Sequence, residues 1–321
     1  MIPIPSRLTP AQVTGVLNVV SAAVDADGVG PLSEHGLLRV RHGEPGQPHD
    51  LVATAGDTII GYAYLDEPGP DGADMTGELV VHPGYRQQGL GTALVSALAT
   101  EANGHPIRLW AHGDLAAAAA LARSAGFERF RALWQMRRSL HEPPLPEPPA
   151  GDPATGLPDG IALRTFRVGQ DEERWLHLNG QAFAKHPEQG AWTRRDIELR
   201  EAEPWFDRDG FFIAERKRDG AMAGFHWTKI HPATATEARI GEVYVVGVDP
   251  DAHGGGLGKA LTLAGLRYLR ARGLDQVLLY VDEDNVTAIR MYANLGFTRW
   301  RADAMYRRPG GGQPGATVTG Q

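Results

Sequence analysis

Apolar residues at Val13, Val16, Leu17 and Val20 repeat at the spacing of one helix face, and Thr9-Pro10 ahead of them is a helix-start signal. Residues 9–24 are therefore predicted as a capped amphipathic helix. After a loop carrying Asp25, Asp27, Gly28, Gly30 and Pro31, Ser33-Glu34 opens a second, short helix. The period then changes. Residues 51–54 and 59–64, separated by Ala-Gly-Asp, read as a β-hairpin. A strand follows from Gly77 to His82-Pro83, then a glycine-bearing loop that enters a helix. Next come a strand over Arg108–His112, an Ala-rich helix from Asp114 to Gly126, and a strand over Ala132–Met136.

Residues 141–160 hold seven prolines, which predicts an extended, semi-rigid linker. Beyond it the plan recurs. An apolar run from Glu242 to Val248 ends at Asp249-Pro250, glycines crowd the next segment, and Ala260, Leu261, Leu263, Ala264, Leu266 and Leu269 continue with helical spacing. Three landmarks keep register between the halves. Pro250 − Pro83 and Gly256 − Gly89 both give 167 (250 − 83, 256 − 89), and Phe297 − Phe127 gives 170 (297 − 127). Two copies of domain size point to a tandem duplication of one α/β domain. The expected organisation is a first domain over 1–140, the linker over 141–160, a second domain over 161–308, and a disordered tail over 309–321, which is rich in glycine and proline.

Composition narrows the chemistry. The absence of cysteine removes disulfides, thiolate metal sites and a cysteine nucleophile. A net charge of −7, with no clustering of basic residues beside stacking aromatics, argues against nucleic acid. No run of ~18 apolar residues suggests a membrane span, and Met1–Arg7 lacks a signal-peptide core, so a cytoplasmic location is expected; a monomer is expected too, without support from these features. His226 and His231, five apart near a strand end, give no support for a metal site.

The strand, glycine loop and helix start over residues 242–259 form a junction suited to an anion, because unpaired N–H groups of the first helical turn face outward there. The P-loop pattern fails, since His253 stands five before Gly258 and Ala260 follows Lys259. The dinucleotide fingerprint fails as well, since its third glycine would fall on Lys259. What remains resembles the pyrophosphate loop of the GCN5-related N-acetyltransferases (GNAT), which bind acetyl-coenzyme A.

That resemblance implies an α/β fold of two tandem GNAT-type domains, each a mixed, mostly antiparallel sheet flanked by helices. It implies that the strand before the loop splays from its neighbour and offers backbone groups to the thioester and pantetheine arm. Those positions are Val246, Gly247 and Val248 in the second half and Leu79, Val80 and Val81 in the first. The pyrophosphate segments would be His253, Gly254, Gly255, Gly256, Leu257, Gly258 and Lys259, with Gln87, Gln88, Gly89, Leu90, Gly91 and Thr92 as the first-half copy. Asn285, Val286, Thr287, Ala288, Ile289 and Arg290 would flank the coenzyme. Where the usual loop supplies basic side chains, His253-Gly254-Gly255 offers a histidine and no guanidinium; Arg86 keeps the pattern in the first half.

The resemblance also separates the halves. Tyr292, where the family places the acid that protonates departing coenzyme A, corresponds to Ala122, and Glu242, the expected general base, corresponds to Met75. Chemistry is therefore expected in the second half, with Glu78 close enough to offer the first half a substitute carboxylate. Without the family, Glu242 reads as an edge charge and Tyr292 as a core aromatic.

More specific segments, among them 184–193, 224–232, 241–250 and 279–286, with Asp27-Gly28, Glu34 and residues 110–113 in the first half, resemble the mycothiol synthases over nearly the whole chain. That family acetylates the cysteinyl amine of a cysteine–glucosamine–inositol pseudodisaccharide. It assigns substrate contacts to Glu34, Glu188, Lys229, Glu242 and Tyr280, and the first-half origin of Glu34 would make the substrate bridge the domains. Carboxylates to accept and Lys or Tyr to donate suit a polyhydroxylated substrate. The bland alternatives are that Glu34 caps a helix, Glu188 lies on a solvated loop and Lys229 is surface charge. The competing functions are an N-acetyltransferase for peptide or aminoglycoside amines and a non-catalytic acyl-coenzyme A sensor.

Overall fold

The computed structural model describes residues 2–4, 7–43, 49–68, 74–147, 156–184, 187–234, 237–252 and 255–310. The chain begins with β1 (Ile2–Ile4), α1 (Pro10–Asp27), α2 (Glu34–His42), β2 (Asp50–Ala55), β3 (Thr58–Leu65) and β4 (Met75–Val81). It continues with α3 (Leu90–Glu101), β5 (Ile107–Ala111), α4 (Ala116–Ser124) and β6 (Glu128–Ser139). The second half holds β7 (Ile161–Thr165), α5 (Glu172–Ala182), α6 (Pro187–Gly190), α7 (Arg194–Glu201), β8 (Phe211–Arg216) and β9 (Met222–His231). It ends with β10 (Ile240–Val248), α8 (Leu257–Ala271), β11 (Gln276–Asp282), α9 (Val286–Asn294) and β12 (Thr298–Arg308).

Helix starts follow local chemistry. Thr9 and Gln12 form a capping box at α1, Ser33 accepts from the Gly36 N–H at α2, and Thr193 with Asp196 caps α7. Gly28 ends α1 in the left-handed conformation at φ 65°, which a glycine adopts without strain.

The chain divides into two compact units. The first comprises Met1–Leu133 and Arg301–Gln321, the second Trp134–Trp300. In the first unit the strand order is β1-β2-β3-β4-β5-β12, with Ala304 to Arg308 of β12 antiparallel to Ala111 to Ile107 of β5. One face of this sheet packs against α3 and α4 through Leu94, Leu98, Ile107 and Ala304; the other packs against α1 through Val16, Val19, Tyr62 and Val80. In the second unit the order is β6-β11-β10-β9-β8-β7. Leu261, Leu263, Leu266 and Leu269 of α8 cover one face, and an aromatic cluster of Trp175, Phe211, Phe225 and Trp227 beneath α5 covers the other. β4 with β5 and β10 with β11 are parallel pairs within otherwise antiparallel neighbours.

These boundaries differ from those expected at the proline-rich stretch. Residues 134–139 belong with the second unit and 301–308 with the first, because ladder pairing and burial, not composition, decide which core a strand completes. Residues 148–155 of the expected linker and 311–321 of the expected tail lie outside the described residues.

Candidate active site

In the second unit β10 and β11 pair over only three steps, Gly241 with Val277, Glu242 with Leu278 and Val243 with Leu279. β10 then runs on to Val248, held on its other side by β9, so the two parallel strands part after Val243, one residue past Glu242. A register shift between Val243 and Val245 leaves Tyr244 as an extra residue opposite β9, a bulge that increases local twist and bends the strand where it leaves its neighbour. Val246, Gly247 and Val248 lie beyond the parting point. Gly247 has no room for a side chain, since a Cβ there would stand 2.7 Å from Phe225 and 3.1 Å from Ala182.

After β10 a one-turn helix over Pro250–Ala252 leads toward α8. His253 and Gly254 lie outside the described residues. Gly255 and Gly256 take left-handed φ values of 61° and 79°, and α8 starts at Leu257 with no side-chain cap. Its first N–H groups are thus left for solvent or a ligand. Leu257 is itself buried and anchors the turn, while Gly258 and Lys259 are half-buried.

Glu242 is buried, and its Oε2 lies 2.6 Å from Nε2 of His231 at the end of β9. Lys229, the cross-strand partner of Glu242 in the ladder, places its ammonium 4.3 Å from the ring centroid of Trp205 and 5.0 Å from that of Tyr244. Arg200 donates to the Tyr244 hydroxyl at 2.7 Å and stacks on Trp192. Tyr280 on β11 is 42% exposed, and Gln135 donates to its hydroxyl at 2.7 Å. Tyr292 on α9 is buried beside Phe297, and burial pushes its hydroxyl well above the ordinary tyrosine range, so it stays protonated at neutral pH. Asn285 caps α9 by accepting from the Ala288 N–H, which leaves Val286, Thr287 and Arg290 exposed on the first turn, with Ala288 and Ile289 half-buried. Glu188 lies in the short helix α6. His226 is a core histidine: burial lowers its pKa to about 4, and Nδ1 donates to the Leu261 carbonyl.

The first unit repeats the split with different contents. β4 pairs with β5 only from Met75 to Gly77, and Leu79, Val80 and Val81 follow the parting point. The loop copy of Gln87, Gln88 and Gly89 is exposed, with Gln87 at φ 60° and Gly89 at φ 80°, and α3 also starts uncapped. Glu78, however, is fully engaged. It accepts from the Ser33 N–H and hydroxyl, from the Tyr64 hydroxyl at 2.8 Å and from His112 at 2.7 Å, and His112 reaches Asp303 at 3.0 Å on its other nitrogen. A Cβ at Gly36 would stand 2.5 Å from this carboxylate, so the backbone closes over it. Arg86, the loop arginine, is held by Asp27 through two bonds of 2.7 Å. Glu34 is the first residue of α2 and half-buried.

The sequence of residues 173–297 matches the Acetyltransferase (GNAT) family, and residues 48–129 match the Acetyltransferase (GNAT) domain. The mycothiol acetyltransferase of Thermobispora bispora is 55% identical over 304 residues, covering 94% of this chain and 98% of that protein. The chain belongs to the mycothiol acetyltransferase family. A second member, from Salinispora arenicola, is 53% identical over 306 residues, covering 94% of this chain and 95% of its own length. Among solved structures, a tandem GNAT protein from the clavulanic acid biosynthesis pathway superposes with a TM-score of 0.69 at 21% identity, over 97% of this chain and 98% of that one. A GCN5-related N-acetyltransferase from Sphaerobacter thermophilus gives 0.65 at 24% identity over 95% of each chain. These likenesses carry the fold. As a mycothiol acetyltransferase family member the chain is an N-acetyltransferase built from two GNAT domains, and the expected α/β class holds.

Of the residues expected at the site, the second unit brings Glu242, Lys229 and the Val246–Val248 segment onto one strand pair and sets Tyr280 on the strand that parts from it. Reading the sequence missed His231 as a partner of Glu242, and also missed Gln135 and Arg200. For His231 a signal existed: it alternates with Lys229 along β9, which puts both on one face. For Gln135 and Arg200 none did, since each meets its partner from a distant element.

Proposed function

We propose that the chain transfers the acetyl group of acetyl-coenzyme A to the cysteinyl amine of a cysteine–glucosamine–inositol pseudodisaccharide, releasing mycothiol and coenzyme A, with the chemistry in the second unit. The observation that carries this reading is Glu242, a buried carboxylate one residue before the point where β10 and β11 part. A base at that position stands where a parted strand exposes backbone donors, so proton removal and carbonyl polarisation fall in one place.

In this scheme Glu242 takes the proton of the substrate ammonium, directly or through one water. Backbone N–H groups in the Val246–Val248 segment hold the thioester oxygen as charge develops on it. Tyr292, kept protonated by burial, gives its proton to the departing sulfur, and the second proton shed by the acceptor nitrogen as the tetrahedral adduct collapses restores the tyrosine hydroxyl. The α8 N-terminus with Gly255 to Lys259 receives the pyrophosphate, and residues 285–290 flank the coenzyme. Glu188, Lys229 and Tyr280 bind the hydroxylated acceptor. The first unit binds acetyl-coenzyme A through Leu79–Val81 and Gln87–Thr92 without turning it over, because its strand carboxylate Glu78 is consumed by Ser33, Tyr64 and His112. We take the working form to be a cytoplasmic monomer that needs no metal.

The test is coenzyme A release, followed by chromatography, with the pseudodisaccharide, a peptide amine and an aminoglycoside as acceptors. Release is expected with the pseudodisaccharide alone. Glu242→Gln is expected to lower kcat by roughly 10²–10⁴ with acetyl-coenzyme A binding retained. Faster turnover of another amine points to a different N-acetyltransferase, and binding without any release points to a sensor; either result overturns the proposal.

A further inference from the structure

A buried carboxylate that must act as a base needs a fixed orientation, since a Glu side chain turns about three bonds and a misplacement of about 1 Å can cost on the order of 100-fold in rate. Glu242 has a partner suited to that task. The β9–β10 register sets Ile240 opposite His231 and Glu242 opposite Lys229, so His231 reaches Glu242 diagonally on the shared face. Its Nε2 lies 2.6 Å from Oε2 of Glu242, well within hydrogen-bond distance. The Glu242 side chain is 8% exposed and that of His231 36%, so the imidazole is the solvent-side member of the pair.

We propose that His231 is a positioning residue for Glu242, an inference that rests on Glu242 being the general base. With Nε2–H donated to Oε2, the carboxylate is anchored through one oxygen, and Oε1 stays available to accept the proton of the amine or of a relaying water. The pairing also satisfies one of the two acceptor oxygens of a carboxylate buried at the mouth of the β10–β11 split. Two further contacts brace the same face: Lys229 over Trp205 and Tyr244, and Arg200 bonded to the Tyr244 hydroxyl at the bulge.

The experiment is steady-state kinetics of the full chain with acetyl-coenzyme A and the pseudodisaccharide, comparing His231→Ala, His231→Gln, Glu242→Gln and the double variant His231→Ala/Glu242→Gln. His231→Ala is expected to lower kcat about 10- to 100-fold with the KM for acetyl-coenzyme A little changed. His231→Gln, which keeps an N–H donor toward Oε2, is expected to recover most of that loss, and adding His231→Ala to Glu242→Gln to cause no further one. Wild-type kcat in His231→Ala beside an impaired Glu242→Gln overturns the positioning role alone. So does a His231→Gln as slow as the alanine variant, or an additive loss in the double variant. Wild-type kcat in Glu242→Gln overturns the general-base reading and this proposal with it.

Discussion

The Glu78–His112–Asp303 cluster makes the stability of the first unit depend on alkaline pH. Burial by itself pushes the His112 imidazole down, but the hydrogen bonds and charges of Asp303 and Glu78 outweigh it and raise the pKa to about 10. An imidazole in the unfolded chain titrates near 6.5. Below that pH the folded state's preference for the proton contributes in full. Between 6.5 and about 10 the unfolded chain sheds the proton while the fold keeps it, so stability falls as pH rises. At ~1.4 kcal/mol for each tenfold change, the span between those two values sets a ceiling on the order of 5 kcal/mol. Urea unfolding at a series of pH values from neutral to mildly alkaline measures the decline, and histidine resonances in two-dimensional NMR, assigned by comparison with His112→Gln, measure the titration directly. His112→Gln is expected to be less stable at neutral pH and to lose this part of the slope, since it holds no titrating proton between Glu78 and Asp303. A His112 that titrates near 6.5, or a slope identical in wild type and His112→Gln, refutes the reasoning.

Two further substitutions probe the second unit. Tyr292→Phe is expected to lower kcat by roughly 10²-fold through loss of the acid. It should leave the melting temperature nearly unchanged, because the hydroxyl has no hydrogen-bond partner among the described residues; equal rates in the two proteins remove Tyr292 from the chemistry. Gly247→Ala forces a Cβ to 2.7 Å from the fully buried Phe225, which is expected to cost about 1–3 kcal/mol and to weaken acetyl-coenzyme A binding as β10 shifts. Thermal unfolding with and without acetyl-coenzyme A checks both effects.

The elements themselves were readable because their signals are local. Thr9-Pro10, Ser33 before Glu34, and the Ala-Gly-Asp break between the two apolar runs each act within a few positions, and the structure returns α1, α2 and the β2–β3 hairpin there. The parting of β10 from β11 was expected only through resemblance to the acetyltransferases; nothing in the run Glu242–Val248 states where pairing stops. Loop composition was a weaker guide. Prolines over 141–160 do not say that 301–308 completes the first unit's sheet and 134–139 lies in the second unit.

The sequence by itself determined the duplicated plan and the glycine turn ahead of each uncapped helix. Each of these is a matter of which residue occupies which register position. Only the tertiary structure decided which charged groups meet. Glu78 is engaged by residues 45, 14 and 34 positions away, Arg86 by Asp27 at 59, and Glu242 by His231 at 11 across a hairpin. A side chain's partner depends on strand pairing and on what burial leaves without water, and both arise when the whole sheet closes. That is why Gln135 beside Tyr280 and Arg200 beside Tyr244, each brought in from a distant element, could not be read from the chain.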